Sequence, residues 1–136
     1  MTVLELWLFA EKIKCIKLQN YSVNFIQEYY LQDAVFIDFI DLKYVAGATK
    51  HDYARDNPLR KFCALQLHYQ NNNGEHEAVH QAILNSSDII NLYLEYEGTY
   101  WLDSEFDPRS RGINFSCEFH VHDDDEDRED CQIKLE

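Results

Sequence analysis

Residues 88–106 read DIINLYLEYEGTYWLDSEF and carry the clearest strand pattern of the chain. In the first ten of these residues, the apolar Ile90, Leu92 and Leu94 occupy every second position. This is the spacing of a strand that buries one face. Gly98 then turns the chain, and residues 99–106 pair back against the first arm. The stretch predicts an antiparallel β-hairpin, around which the rest of the fold is arranged.

Other segments are predicted to be strands of the same sheet. Residues 59–69 and 113–122 alternate between apolar and polar side chains, and 34–46 is β-like in composition. Residues 131–135 can add a short last strand. The sequence NNNG at 71–74 predicts a turn, because Asn and Gly tolerate positive φ.

Helices are predicted at the N-terminus. Thr2 and Glu5 match a capping box, and the apolar spacing that follows favours a helix over 3–17, although a buried strand also fits so apolar a segment. A second helix is predicted over 22–32, with Ser22 as its N-cap.

The predicted fold class is α+β, with the N-terminal helix or helices packed on a mostly antiparallel β-sheet. Residues 75–85 fit either a short helix or a hairpin arm, and 47–58 is a polar loop long enough to be a contact loop. A chain of 136 residues, 46% of them hydrophobic, suits one core. We therefore expect a single domain over 1–136.

The charge of the chain is acidic and uneven. The net charge is −13, which disfavours direct binding of nucleic acid because phosphates are held by clustered Lys and Arg. Residues 1–60 contain 8 acidic and 7 basic side chains, whereas 61–136 contain 17 and 5. The acidity therefore belongs to the second half of the chain.

Residues 123–130, DDDEDRED, are the densest acidic stretch. Asp123, Asp125 and Asp127 match the first ligands of an EF-hand loop, but Arg128 and Lys134 stand where the pattern needs Gly and Glu. Two interpretations stay open: a solvated hairpin loop, or a contact surface for a basic partner. Adjacent acids repel one another, which favours the second.

The cysteines and the N-terminus indicate a cytoplasmic protein. Cys15, Cys63, Cys117 and Cys131 include no C-x-x-C pair, and a chain of this length folds without disulfides, so we interpret them as reduced thiols that are mostly in the core. A disulfide framework, with Cys117 and Cys131 as the pair flanking a hairpin, is the alternative. Residues 1–14 lack the pattern of a secretory signal, and no run is long enough to span a bilayer.

Catalytic and metal-binding patterns are weak. His120 and His122 share a strand face, and His76 and His80 share a helical face, but each pair lacks a third ligand. Neither a nucleophile elbow nor a phosphate-binding glycine motif occurs. We predict no enzyme activity, no cofactor and no metal.

The predicted hairpin combines aromatic and acidic side chains, which is the composition of an interface that anchors apolar groups and attracts a basic protein. The competing interpretation is that the alternation places the aromatic side chains in the core and the acidic side chains in water. We call residues 123–130 the acidic octet. The predicted contact residues come from the hairpin and from the first five positions of the octet, and they are Glu95, Glu97, Tyr100, Trp101, Asp103, Glu105, Asp107, Asp123, Asp124, Asp125, Glu126 and Asp127.

These features predict a cytoplasmic inhibitor of a basic protein, most concretely an immunity protein that occludes a toxin nuclease domain. A nuclease must be cationic to hold its substrate, so an acidic domain can cover the nucleic-acid groove. In size and acidity alone the chain resembles the small acidic immunity proteins of bacterial competition systems. Alternatives are a nucleic-acid mimic, which would carry acids over its whole surface, and an acidic secretion chaperone, which would expose an apolar surface.

Overall fold

The computed structural model describes residues 2–52, 57–95, 107–109 and 119–121. No strand occurs in these ranges, so the predicted α+β fold with its mostly antiparallel sheet is wrong. The chain folds here into helices, which are α1 (Val3–Lys12), α2 (Ile16–Gln32), α3 (Phe39–Ala48), α4 (Pro58–Asn72), α5 (His76–Asn85) and α6 (Ser87–Glu95), with a 3-10 turn at Lys50–Asp52.

Helix α6 stands where the first arm of the hairpin was predicted. Ile89 and Leu92, three positions apart, are buried, while Leu94 is half exposed. The buried positions therefore have the spacing of a helix, although the apolar residues of this segment also alternate as those of a strand would. Ser86 begins the helix, since its Oγ accepts a hydrogen bond from the amide of Ile89 at 3.3 Å. The predicted second arm, 99–106, lies outside the described residues.

Helix α4 replaces the strand predicted over 59–69. It is buried on almost every side, and its buried residues include Arg60, Lys61 and Gln66. Because polar side chains of α4 are buried together with apolar ones, they do not identify a solvent-facing side of the helix. Their spacing in the sequence resembles the alternation of a strand. Asn57 caps the helix by accepting a hydrogen bond from the amide of Arg60 at 3.1 Å.

Helix α3 replaces most of the strand predicted over 34–46. Asp38 is its N-cap, and its side chain accepts a hydrogen bond from the amide of Asp41 at 2.8 Å. Just before this cap, the buried Gln66 holds the backbone of Ile37 through two bonds. Its Oε1 accepts from the Ile37 amide at 3.2 Å, and its Nε2 donates to the Ile37 carbonyl at 2.9 Å. The segment just before α3 is thus held in place by a side chain, and among the described residues it pairs with no strand.

The predicted N-terminal capping box is confirmed. The amide of Glu5 donates to Thr2 Oγ1 at 3.1 Å, and the amide of Thr2 donates to Glu5 Oε2 at 3.4 Å. The helical interpretation of this segment is therefore right, and the buried strand is wrong.

Both N-terminal helices have other bounds than predicted. The predicted helix over 3–17 is interrupted at Lys14, which adopts a left-handed φ of 57° and donates its amide to the carbonyl of Glu11 at 3.1 Å. Ser22 lies inside α2, where its Oγ donates to the carbonyl of Leu18 at 2.7 Å. The prediction of Ser22 as an N-cap is therefore wrong.

The connecting segments agree with prediction in part. Gly74, with a φ of 102°, lies in the turn predicted at 71–74, and the helical alternative for 75–85 is right because α5 forms there. Of the predicted strand 113–122, the structure describes only 119–121, which is not a strand. The predicted strand 131–135 lies outside the described residues.

The described residues group into two compact units. Those within Met1–Ala34 and Arg109–Glu136 form the N-terminal unit, and those within Val35–Pro108 form the central unit. Helix α1 packs on α2 in the first unit, where the side chain of Asn20 exchanges two hydrogen bonds of 2.7 and 3.0 Å with the backbone of Val121. Helices α3 to α6 pack together in the second. The single-domain interpretation stays a prediction.

Candidate functional site

The structure describes two of the predicted contact residues. Glu95 is the last residue of α6, and Asp107 is half-buried. The others lie outside the described residues: Glu97, Tyr100, Trp101, Asp103, Glu105, Asp123, Asp124, Asp125, Glu126 and Asp127.

Glu95 forms a buried ion pair with Arg60, whose side chain is only 1% exposed. Arg60 Nε donates to Glu95 Oε2 at 2.6 Å, and Arg60 Nη1 donates to the carbonyl of Ala46 at 2.9 Å and to Thr49 Oγ1 at 3.2 Å. One guanidinium therefore joins the start of α4 to the ends of α3 and α6. The carboxylate of Glu95 is directed inward, toward this cation, at the point where α6 leads into the acidic and aromatic stretch.

Cys63 lies one helical turn after Arg60 and is fully buried. Burial raises the pKa of its thiol to about 12, against a smaller opposing effect of the Arg60 charge. The side chain is therefore a protonated thiol at neutral pH and is not a nucleophile. The burial of Cys63 agrees with the prediction of reduced thiols in the core. Cys15 is half-buried and also unpaired with another cysteine, whereas Cys117 and Cys131 lie outside the described residues.

The solvent-facing charge of residues 57–95 is acidic. This range contains two basic side chains, Arg60 and Lys61, and both are buried. Glu75 and Glu77 are exposed and Asp88 is half exposed. With both cations of this range buried, the formal charges that α5 and α6 expose to solvent are carboxylates.

The first half of the chain differs in this respect. Its helices and the 3-10 turn expose lysines interspersed with acids. The exposed lysines are Lys12, Lys14, Lys17, Lys43 and Lys50. Among the described residues, exposed lysines therefore occur in 2–52 and not in 57–95.

A histidine-rich polar network connects α4, α5 and α6. The His68 ring stacks on Tyr93 with ring centroids 4.0 Å apart, and Asn71 donates to the Tyr93 hydroxyl at 3.2 Å. Asn71 Oδ1 lies 2.7 Å from His76 Nδ1, and His76 stacks on His80 with centroids 6.2 Å apart. His76 and His80 share a helical face, as predicted. Among the described residues, no group of three or more metal-ligating side chains forms.

His120, the first histidine of the other predicted pair, is held by an amide. Its Nε2 lies 2.6 Å from Asn24 Oδ1 on α2. His122 lies outside the described residues.

The central unit also has an open apolar groove of about 390 Å³ between α3 and α6. Its lining residues are Ile40, Lys43, Tyr44, Gly47, Ala48 and Asp88. We call it the α3 groove. Sequence reasoning missed it because residues 40, 44 and 47 fall on one face of a helix but are divided between the two faces of a strand. Arg60 was missed for another reason, since nothing in its sequence context distinguishes a buried arginine from an exposed one.

Comparisons with protein families, with curated proteins and with solved structures found no match to this chain. The site is therefore interpreted from its own chemistry. Among the described helices, none combines the length and apolar character needed to cross a membrane.

Proposed function

We propose that the protein binds and inhibits a basic protein, most concretely as the immunity protein of a toxin nuclease. The observation that supports the proposal is the acidic exposed charge of the described residues 57–95. Both cations of residues 57–95 are buried, while Glu75 and Glu77 are exposed. The acidic octet at 123–130 adds seven acids against one Arg in the same half.

A surface of this kind suits a partner that holds nucleic acid. A nuclease carries a cationic groove for the phosphate backbone, and an acidic domain is attracted to that groove before any contact forms. Complementary charge raises the association rate and disfavours acidic competitors. The inhibitor then acts by covering the groove, without chemistry of its own.

Under the proposal, the neighbouring reading frame should encode a protein with a basic toxin domain, and co-expression with that domain tests the proposal. Cells that make the toxin domain should survive when this protein is made with it, and the purified pair should form a complex that salt weakens. Cell death despite equal expression of the two proteins would contradict the proposal.

The role of the acidic octet is tested by a matched pair of double variants. Asp123→Asn with Asp124→Asn removes two charges from the octet, and Glu28→Gln with Asp33→Asn removes two exposed charges from α2 and its C-cap. At low salt we expect the first variant to slow association with the toxin domain about threefold or more, and the second to change it little. Equal association rates would exclude the octet from the interface.

Exposed apolar side chains outside the α3 groove support a second candidate, an acidic secretion chaperone, because a chaperone needs an exposed apolar surface. Leu84 in α5 is 66% exposed. A chaperone should keep an exported substrate soluble and should not protect cells from a toxin. A nucleic-acid mimic is less well supported, since the five exposed lysines of the first half interrupt the acidic surface such a mimic needs.

A further inference from the structure

The outward side of α3 is apolar, although α3 already buries its opposite side. Ile40 is 81% exposed and Tyr44 is 54% exposed, and both lie on one helix face. Leu42 and Val45, on the other side, are buried in the central unit. A helix that is apolar on both sides is normally buried on both. The exposed face of α3 is therefore suited to a contact outside the chain.

The α3 groove places small residues and opposite charges on this face. Gly47 lies beneath the carboxylate of Asp88 from α6, where an added Cβ would come within 3.2 Å of Asp88 Oδ2. The small residues Gly47 and Ala48 line the groove beside Ile40 and Tyr44. Lys43 and Asp88 line the same groove, and neither forms an ion pair or a side-chain hydrogen bond within the described part of the chain.

This combination of charges is self-complementary. A partner of one charge sign would pair with Lys43 or with Asp88 and repel the other. In a two-fold dimer the same patch occurs on both copies, so Lys43 of each copy can face Asp88 of the other. A second copy therefore pairs both charges and covers both apolar faces.

We infer that the α3 groove is the contact surface of a homodimer, in which the outward face of α3 packs on its equivalent and Lys43 pairs with Asp88 of the second copy. The inference does not depend on the proposed inhibitor function, because the groove is separate from the acidic octet in sequence and in chemistry.

Sedimentation velocity and light scattering on the full chain, over a wide range of concentration, test the inference. The expected mass is about twice the 16.2 kDa of the chain. We expect Ile40→Ser and Lys43→Glu each to weaken dimerisation about tenfold or more, and Lys43→Glu combined with Asp88→Lys to restore it to within about threefold. Lys50→Glu changes the charge by the same amount outside the groove and should leave the dimer intact.

A monomer at every concentration would overturn the inference, and so would a dimer that Ile40→Ser leaves unchanged. Failure of the folded double variant to restore the dimer would overturn it too. If circular dichroism shows that Asp88→Lys prevents folding, the dependence of dimerisation on salt concentration tests the charge pairing instead. High salt screens the repulsion in Lys43→Glu and should recover its dimer, whereas the Ile40→Ser dimer should not recover. Equal responses of the two variants would contradict the charge pairing.

Discussion

At the scale of single residues, Arg60 and Glu95 form the polar centre of the central unit. A buried ion pair is strongly destabilised when one partner is removed, because the other charge stays buried without compensation. We expect Arg60→Met to lower the free energy of unfolding by about 3–5 kcal/mol. The Glu95 carboxylate and the Ala46 carbonyl would both lose a donor. Urea unfolding followed by circular dichroism measures the change.

The double variant Arg60→Met with Glu95→Leu separates the lost pair from lost packing. It removes both charges, so it should be less destabilised than Arg60→Met alone. Lys50→Met, at an exposed cation, should change the stability by no more than about 0.5 kcal/mol. A double variant as unstable as the single one would show that packing around Arg60 matters more than charge.

Cys63 gives the stability a dependence on alkaline pH. Its pKa rises from 9.0 to about 12 on burial, so as the pH rises the thiol ionises first in the unfolded chain. The stabilising contribution is complete below pH 9 and is lost between the two values, at up to about 1.4 kcal/mol per pH unit. Urea titrations above pH 9 should therefore show a steeper loss of stability in the native protein than in Cys63→Ala. Parallel pH profiles for the two proteins would contradict this.

At the scale of elements, two helix ends adopt a left-handed conformation without glycine. Lys14 after α1 has a φ of 57°, and Ala34 after α2 has a φ of 54°. The amide of Cys15 donates to the carbonyl of Ala10 at 2.8 Å, which with the bond from Lys14 completes a Schellman motif. Glycine adopts this conformation without the steric cost of a Cβ.

The same substitution should therefore have opposite effects at two exposed alanines. Ala34→Gly should raise the free energy of unfolding by about 0.5–1 kcal/mol, because it removes the strain of a positive φ. Ala78→Gly, in helix α5, should lower it by up to about 1 kcal/mol. Thermal and urea unfolding of both variants test the pair. A loss of stability in Ala34→Gly would show that its backbone is not strained.

These helix ends also show what the sequence could predict. The capping box at Thr2 and Glu5 was found because its signal is local and its two residues stand at fixed spacing. The end of α1 was missed because Lys14 occupies the place where a glycine would have marked it. Helix boundaries set by an unusual backbone conformation of an ordinary residue leave no sequence signal.

The prediction of the fold class was wrong for a different reason, which α4 and α6 illustrate. Alternation distinguishes strand from helix only when one face meets water. In α4 the buried Gln66 serves as a hydrogen-bond partner for Ile37, so a polar residue marked the interior. The predicted hairpin would expose Glu95, whereas the carboxylate of Glu95 is directed toward Arg60. The charge asymmetry needed no fold to be seen, and it agrees with the exposed charges of the described residues.

At the scale of the whole molecule, attraction and repulsion between charges act in different places. The Arg60–Glu95 pair is buried, where salt screens it little. The repulsion comes from the net charge of −13, of which −12 belongs to residues 61–136. Repulsion among exposed groups of like charge opposes the compact state, and salt weakens it. The response of stability to salt therefore reports mainly on the excess of acidic side chains.

We expect the melting temperature to rise with sodium chloride, by on the order of a few degrees between low salt and about 0.15 M, where the Debye length falls to about 8 Å. The variant Asp123→Asn with Asp124→Asn should melt higher at low salt and respond less to salt, because it removes two charges from the densest acidic stretch. Glu28→Gln with Asp33→Asn should respond nearly as the native protein does, since residues 1–60 have a net charge of only −1. Calorimetry at several salt concentrations measures all three proteins. A melting temperature that falls with salt would mean that attractive surface pairs outweigh the repulsion, and the acidic half would then be compensated within the chain and not by a basic partner.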